Sequence, residues 1–296
     1  MKVRIGYGVS GFAAAAPSGF ATIVDGLEDL GFDSLWLSER IGAHGLDPIA
    51  ALSFAAGRTT RIKVGTSVGV LPGRNPSIVA KQWATLSLLS DNRALPAFGL
   101  GVVDPNEQQA LHIARADRGP QFDEMLPLLR RLWTEPSVTH HGRYFHYDDL
   151  RVEPKPTKPL DVWLGGKAPG ELRRVGRVGD GWLASFAMPA ECEASRPVID
   201  EAAATAGRTI DPEHFGAMVF YAHDPLPAAV AERIGARNPD VDPNDLVPVG
   251  FDAVRRRCSE FVAVGFSKLI LVPFAPVDDW RRELEAAAAS VVDLQT

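Results

Sequence analysis

The sequence predicts a single parallel (β/α)8 barrel spanning residues 1–296, and three observations carry that expectation. Eight short apolar runs recur along the chain, most of them are followed by a helical pattern, and no low-complexity linker divides the sequence. With 296 residues and 46% hydrophobic content, the chain is able to bury one large core. A barrel of roughly 250 residues is still one domain.

The expected strands cover residues 3–7, 34–37, 62–68, 97–100, 161–164, 182–185, 216–221 and 268–272. After the first, Phe20, Ile23, Val24, Leu27 and Leu30 form one apolar stripe that Gly31 ends, and Phe32-Asp33 turns into the second strand. The third strand is rich in β-branched residues, Ile62, Val64, Val68 and Val70. Asn75 then offers a helix N-cap with Pro76 at the first helical position, Val79, Trp83 and Leu86 recur at helical spacing, and Ser90-Asp91-Asn92 stops the helix. Between the fourth and fifth strands lie a helical stretch near 120–134 and the aromatic, basic segment 140–147, expected to cap the catalytic face. Before the last strand, Pro225, Pro227, Pro239, Pro243 and Pro248 punctuate a polar region expected to be a lid or an oligomer contact.

A formal charge of −6 gives no basic surface, which argues against nucleic acid or an anionic membrane as partner. Arg255-Arg256-Arg257 reads as a solvated face of a late helix. Cys192 and Cys258 stand far apart without a Cys/His cluster, so free thiols in a reducing cytoplasm are expected, and no metal site. The N-terminus runs directly into a strand without a long apolar segment, and no later segment reaches transmembrane length, so a soluble, unprocessed cytoplasmic protein is expected. Motifs for a serine nucleophile, a phosphate-binding loop and a dinucleotide fold are absent.

In such a barrel the functional residues lie at the C-terminal ends of the strands. Gly165-Gly166-Lys167-Ala168-Pro169 there has two readings: backbone amides open to a phosphate at a helix N-terminus, or a tight βα turn. Lys167 either adds charge to that phosphate or reaches solvent. Asn106 and Glu107 are cleft residues or the start of a helix capped by Asp104.

The run from Thr60 to Gly101, together with Gly165-Gly166 and the later Asp180-Gly181-Trp182, resembles the luciferase-like monooxygenase superfamily of flavin and deazaflavin oxidoreductases, nearest its F420-dependent branch. The resemblance implies a bacterial-luciferase-like TIM barrel with insertions at the C-terminal face, coenzyme F420 as cofactor with FMN as the alternative, a small-molecule substrate, a homodimer, and a separate reductase supplying reduced cofactor. It implies a cis peptide at Ser67–Val68 backing the ring, the alternative being an ordinary trans strand end with Thr66 and Ser67 bonding to backbone, and cofactor contacts from Ser38, Thr66, Ser67, Val68, Asn106, Gly165, Gly166 and Lys167. By the same resemblance Glu39, Arg40 and His44 are the catalytic candidates, Glu39 and Arg40 alternatively forming a structural ion pair.

The chain departs from the family's sugar-phosphate dehydrogenases, with Arg40 and His44 where those carry His and Trp, and Val102 where they carry Glu. Alcohol oxidation needs a base for the hydroxyl proton, so a reductase is the better expectation. An FMN monooxygenase and a non-catalytic flavin-binding protein are the rivals. Phe12, His44 and Phe186 have two readings, the lining for an apolar or aromatic substrate or barrel packing at the strand ends.

Overall fold

Strand follows helix in the order expected. The computed structural model describes every residue except Phe12, Ala14, Ala15, Ala16 and Arg237, and the side chain of Pro17. β1 (Arg4–Val9), α1 (Pro17–Asp29), β2 (Ser34–Leu37), α2 (Pro48–Arg58) and β3 (Lys63–Thr66) open the chain. The third strand breaks at a cis Ser67–Val68 peptide and resumes as β4 (Gly69–Val70). After α3 (Pro76–Leu89) the fourth strand also comes in two pieces, β5 (Ala94–Leu95) and β6 (Ala97–Gly99), parted by Pro96.

Then come α4 (Pro105–Ala110), α5 (Arg115–Thr134), a hairpin of β7 (Val138–His141) and β8 (His146–Leu150), β9 (Trp163–Gly165), α6 (Pro169–Val178) and β10 (Gly181–Ala184). The remainder is α7 (Pro189–Thr205), β11 (Phe215–Tyr221), α8 (Ala228–Gly235), α9 (Pro243–Leu246), α10 (Phe251–Ala263), β12 (Lys268–Pro273) and α11 (Trp280–Val291).

The main sheet runs β4-β6-β9-β10-β11-β12-β1-β2-β3-β5, all pairs parallel. Its two ends are halves of the broken strands: β3 pairs β5 and β4 pairs β6. The sheet therefore closes on itself as an eight-stranded barrel. Thr66 bridges the seam, its hydroxyl donating to the Ala97 carbonyl at 2.6 Å and accepting from the Ala97 amide at 3.1 Å.

Because side chains alternate along a strand, each strand serves two cores. Trp36, Trp163, Leu183, Met218, Phe220, Ile270 and Val272 fill the barrel interior. Their neighbours Leu35, Leu37, Leu164, Trp182, Val219, Leu269 and Leu271 pack outward under the helices. Each such buried Leu, Ile or Phe contributes about 1.5–3 kcal/mol. The helix starts follow the capping chemistry: Asn75 Oδ1 accepts from the Ser77 and Ile78 amides at 2.9 and 3.3 Å.

The floor of the barrel, at the N-terminal strand ends, is sealed by charge. Lys268 is buried and pairs with Asp33, which also receives Lys63 at 3.4 Å. Burial pushes the Asp33 carboxyl up, yet the two ammonium charges and the hydrogen bonds from Lys268 and Ser34 outweigh it and hold it at about 2.

One expectation needs correction. The segment 140–147 does not cap the catalytic face; it forms the hairpin, which lies along α5, and none of its residues reaches the cleft described below. Glu124 of α5 draws it there by accepting from the amides of Arg143 and Phe145 at 3.0 and 2.9 Å and from His140 at 3.1 Å. Tyr144 adds a bond to Asp117 at 2.8 Å. Extra structure at the C-terminal face comes instead from α4, after β6, and from α8 and α9, after β11.

Cys192 and Cys258 are free, and burial pushes both thiols up to about 12, so neither is a thiolate at neutral pH. Among the described residues no helix is long and apolar enough to cross a membrane, and no group of His, Cys, Asp and Glu could hold a metal.

Candidate active site

A cleft of about 420 Å³ opens at the C-terminal strand ends. That is room for a ligand of drug-like size. Four walls define it.

The first wall is the break in the third strand. The Ser67 amide donates to the Leu37 carbonyl at 2.8 Å, the Ser38 hydroxyl donates to the Ser67 carbonyl at 3.0 Å, and the Glu39 amide donates to the Val68 carbonyl at 3.3 Å. The end of β2 thus fixes the break, and Val68 stands out as an apolar ledge. It stands there because its neighbours are glycines: a Cβ on Gly99 would sit 2.7 Å from Val68 Cγ2, and one on Gly165 would sit 3.0 Å from Cγ1. The Ser67 hydroxyl is buried with no partner among the described residues. Thr66 does not reach the cleft. Only 2% exposed, it commits its hydroxyl to the backbone of Ala97 at the seam, as the strand-end alternative expects.

The second wall is the loop after β2. Glu39 accepts from the Val70 amide at 2.6 Å and pairs with Arg74. Burial raises its carboxyl above the usual range; Arg74 and the Val70 amide oppose that rise, and the charges of Asp47 and Glu107 add to it. Arg40 turns the other way, to Glu107 at 3.3 Å and Asp104 at 3.7 Å. The alternative of a Glu39–Arg40 ion pair is thereby corrected: consecutive side chains diverge, and each has its own partner. Glu107, buried on α4, also accepts from the Gly42 amide at 3.2 Å and so shapes the loop. His44 is exposed and Asn106 lies over Gly42; neither lines the cleft. The Asn106 amide is capped by Asp104 at 2.8 Å, as the helix-start reading expects.

The third wall is Gly165-Gly166, and here the tight-turn reading describes the geometry. Glu171 accepts from the amides of both Lys167 and Ala168 at 3.0 Å, so the N-terminus of α6 is already capped by a carboxylate. An anion settling on those two amides must displace Glu171. The Lys167 ammonium donates to the Phe186 carbonyl at 3.0 Å and to Asn238 Oδ1 at 2.5 Å, not toward the glycines.

The fourth wall is aromatic. Phe186 and Phe220 stack with centroids 4.0 Å apart at 15°, and Phe274 meets both edge-on at 6.0 Å. Met218 joins them on the cleft surface. Phe186 adopts a φ of 49°, rare for a bulky residue. Phe12, expected to line the cleft, lies outside the described residues.

Residues 4–264 match the profile of the luciferase-like monooxygenases. The chain belongs to the luciferase-like monooxygenase family. Within that family, an F420-dependent glucose-6-phosphate dehydrogenase of Kineococcus radiotolerans is 28% identical over 219 residues, covering 70% of this chain and 64% of the relative. One from Amycolatopsis mediterranei is 31% identical over 202 residues, covering 62% and 59%. The chain thus spans less than two thirds of the length of these relatives. Among solved structures, an F420-dependent secondary alcohol dehydrogenase in complex with an F420-acetone adduct superposes with a TM-score of 0.83 at 20% identity, each chain covered to 100%. That likeness is one of fold.

Three parts of this family member's cleft escaped the reading of its sequence. Met218 and Phe220 share the inward face of β11 with Gly216, a period-two signal that locates them in hindsight. Glu171, three residues after Ala168, occupies the capping-box position. Arg74 as the partner of Glu39 had no sequence signal, since it lies 35 residues away.

Proposed function

We propose that this chain is a coenzyme F420-dependent oxidoreductase working in the reductase direction, delivering a hydride to an electron-poor carbon of a small organic substrate. The observation that carries the reading is the Val68 ledge, held by Ser38 and Glu39 and made possible by Gly99 and Gly165. The residues fit a flat ring: an apolar ledge for one face, a buried hydroxyl on Ser67 without a partner among the described residues, and glycines leaving the wall open. When bound, the deazaflavin supplies the two electrons as a hydride.

Val68 would support the ring, and the Ser67 hydroxyl would be available to bond its polar edge. Glu39, on the cleft surface and bound by Arg74 and the Val70 amide, is the group that would relay the proton that completes the reduction, burial raising its carboxyl above the usual range. Arg40, braced by Glu107, orients the substrate's polar atom. Arg40 and Val102, where the family's sugar-phosphate dehydrogenases carry His and Glu, support reduction over sugar-phosphate oxidation. The setting proposed is a cytoplasmic homodimer supplied with reduced cofactor by a separate reductase.

The test is a titration of the purified protein with F420 and with FMN, followed by anaerobic oxidation of reduced F420 in the presence of enones and imines. F420 binding with a Kd of about 1 µM and FMN at least about tenfold weaker is the expected result. Oxygen consumption with reduced FMN and no binding of F420 would refute it.

A further inference from the structure

In the closed barrel the strand formed by β3 and β4 is third and β11 is seventh, four places apart in a ring of eight. Met218 and Phe220 of β11 therefore face the Val68 ledge across the barrel mouth, with Phe186 stacked on Phe220 beside them. A ring resting on the ledge presents its free face to this aromatic wall. The Lys167 bond to the Phe186 carbonyl, anchored in turn on Asn238, keeps Phe186 in its left-handed conformation with its ring on the cleft surface.

Charge points the same way. The charged residues on the cleft surface are Glu39, Glu171 and Arg40, two carboxyls against one guanidinium, and Arg40 is shared between Glu107 and Asp104. Arg74 is taken by Glu39 and Lys167 by Phe186 and Asn238; Arg118, 4% exposed and off the cleft surface, donates once, to the Val102 carbonyl at 2.5 Å, and its other guanidinium nitrogens include two buried ones with no partner among the described residues. Among the described residues on the cleft surface, an entering phosphate dianion meets one guanidinium, already shared between two carboxylates, and the carboxyls of Glu39 and Glu171.

We propose that Phe186, Met218 and Phe220 form the substrate platform and that it takes a neutral, flat, conjugated carbonyl compound, an aryl enone, in preference to a sugar phosphate. The reaction then balances as hydride addition to the β-carbon and proton addition to the α-carbon, with reduced deazaflavin as the two-electron donor. The redox part rests on the function proposed above; the binding part does not.

Benzylideneacetone and glucose 6-phosphate are the probes, titrated calorimetrically into the protein alone and into the protein loaded with oxidised F420. The enone is expected to bind at least about tenfold more tightly than the sugar phosphate. Phe186→Ala should raise the enone Kd about tenfold while the F420 Kd stays within about twofold, and Phe186→Leu, which keeps the volume but loses the ring, should fall between. Glucose 6-phosphate binding as tightly as the enone, or enone affinity unchanged in both variants, overturns the proposal. Enone binding that survives while F420 fails to bind would sink the cofactor reading and leave the platform standing.

Discussion

At the floor of the barrel the Arg93 guanidinium donates to five acceptors between 2.5 and 2.9 Å, the carbonyls of Ser90, Ile62, Ala56 and Thr59 and the Thr59 hydroxyl, and Lys268 lies buried against Asp33. At the rim, built by the other ends of the same strands, the Ser67 hydroxyl is buried with no partner among the described residues, Phe186 sits at positive φ and Glu39 is raised above the carboxylate range. The floor sets its buried ammonium against a carboxylate and gives its guanidinium five acceptors; the rim keeps a hydroxyl and a raised carboxyl that a ligand can use. Fully paired polar groups rigidify a fold, whereas perturbed ones collect at working sites.

The sharpest way to break this contrast is Asp33→Asn. It leaves the Lys268 ammonium buried without its counter-ion, and a loss of about 3–5 kcal/mol in denaturant unfolding is expected, with the F420 affinity of the folded protein unchanged. The sign of the pH dependence follows: a carboxyl held at about 2 contributes stability that is complete above its unfolded value, near 3.9, and fades as pH falls from there toward 2. The variant should lack that acid-sensitive component.

Next in size is Glu39→Gln at the rim. Loss of the carboxyl should slow enone reduction about 100-fold, with a stability cost smaller than that of Asp33→Asn because Arg74 is partly exposed. Because burial raises this carboxyl, the wild-type rate should fall as pH rises through a value above the ordinary carboxylate range, and the variant's profile should be flat there. A rim built only for packing would give neither result.

Gly165→Ala comes third. Its Cβ meets Val68 Cγ1 at 3.0 Å and pushes the ledge into the cleft, so F420 binding should weaken about tenfold at a stability cost of about 1–3 kcal/mol. Smallest is Lys167→Met, which should raise the enone Kd about threefold and leave F420 binding alone. If F420 weakened instead, with its phosphate-free deazaflavin analogue unaffected, Lys167 would be a phosphate ligand after all.

The strands were legible because alternation and β-branching report a pleated, buried surface, and the start of α3 because Asn75-Pro76 carries its own capping chemistry. What sequence could not give is which neighbour faces inward once a strand breaks. Thr66 and Ser67 are both small hydroxyl residues, and only the break between them and Gly69 decides that Thr66 serves the seam while Ser67 lines the cleft. The same limit hid the partners of Glu39 and Arg40, whose salt bridges join loops 35 and 67 residues apart. It also misdirected 140–147, where aromatic and basic residues suggested a cap but Glu124 fastens the segment to α5.

The Thr66 hydroxyl has a bearing on how this protein can change over time. Above and below it the two broken strands form separate ladders, β4 with β6 and β3 with β5, and this one side chain ties Ala97 into the joint between them. Substitutions in the upper ladder can reshape the mouth without loosening the lower one. The barrel therefore carries a modular junction, at which new ligand preferences can be acquired on an inherited, unaltered base.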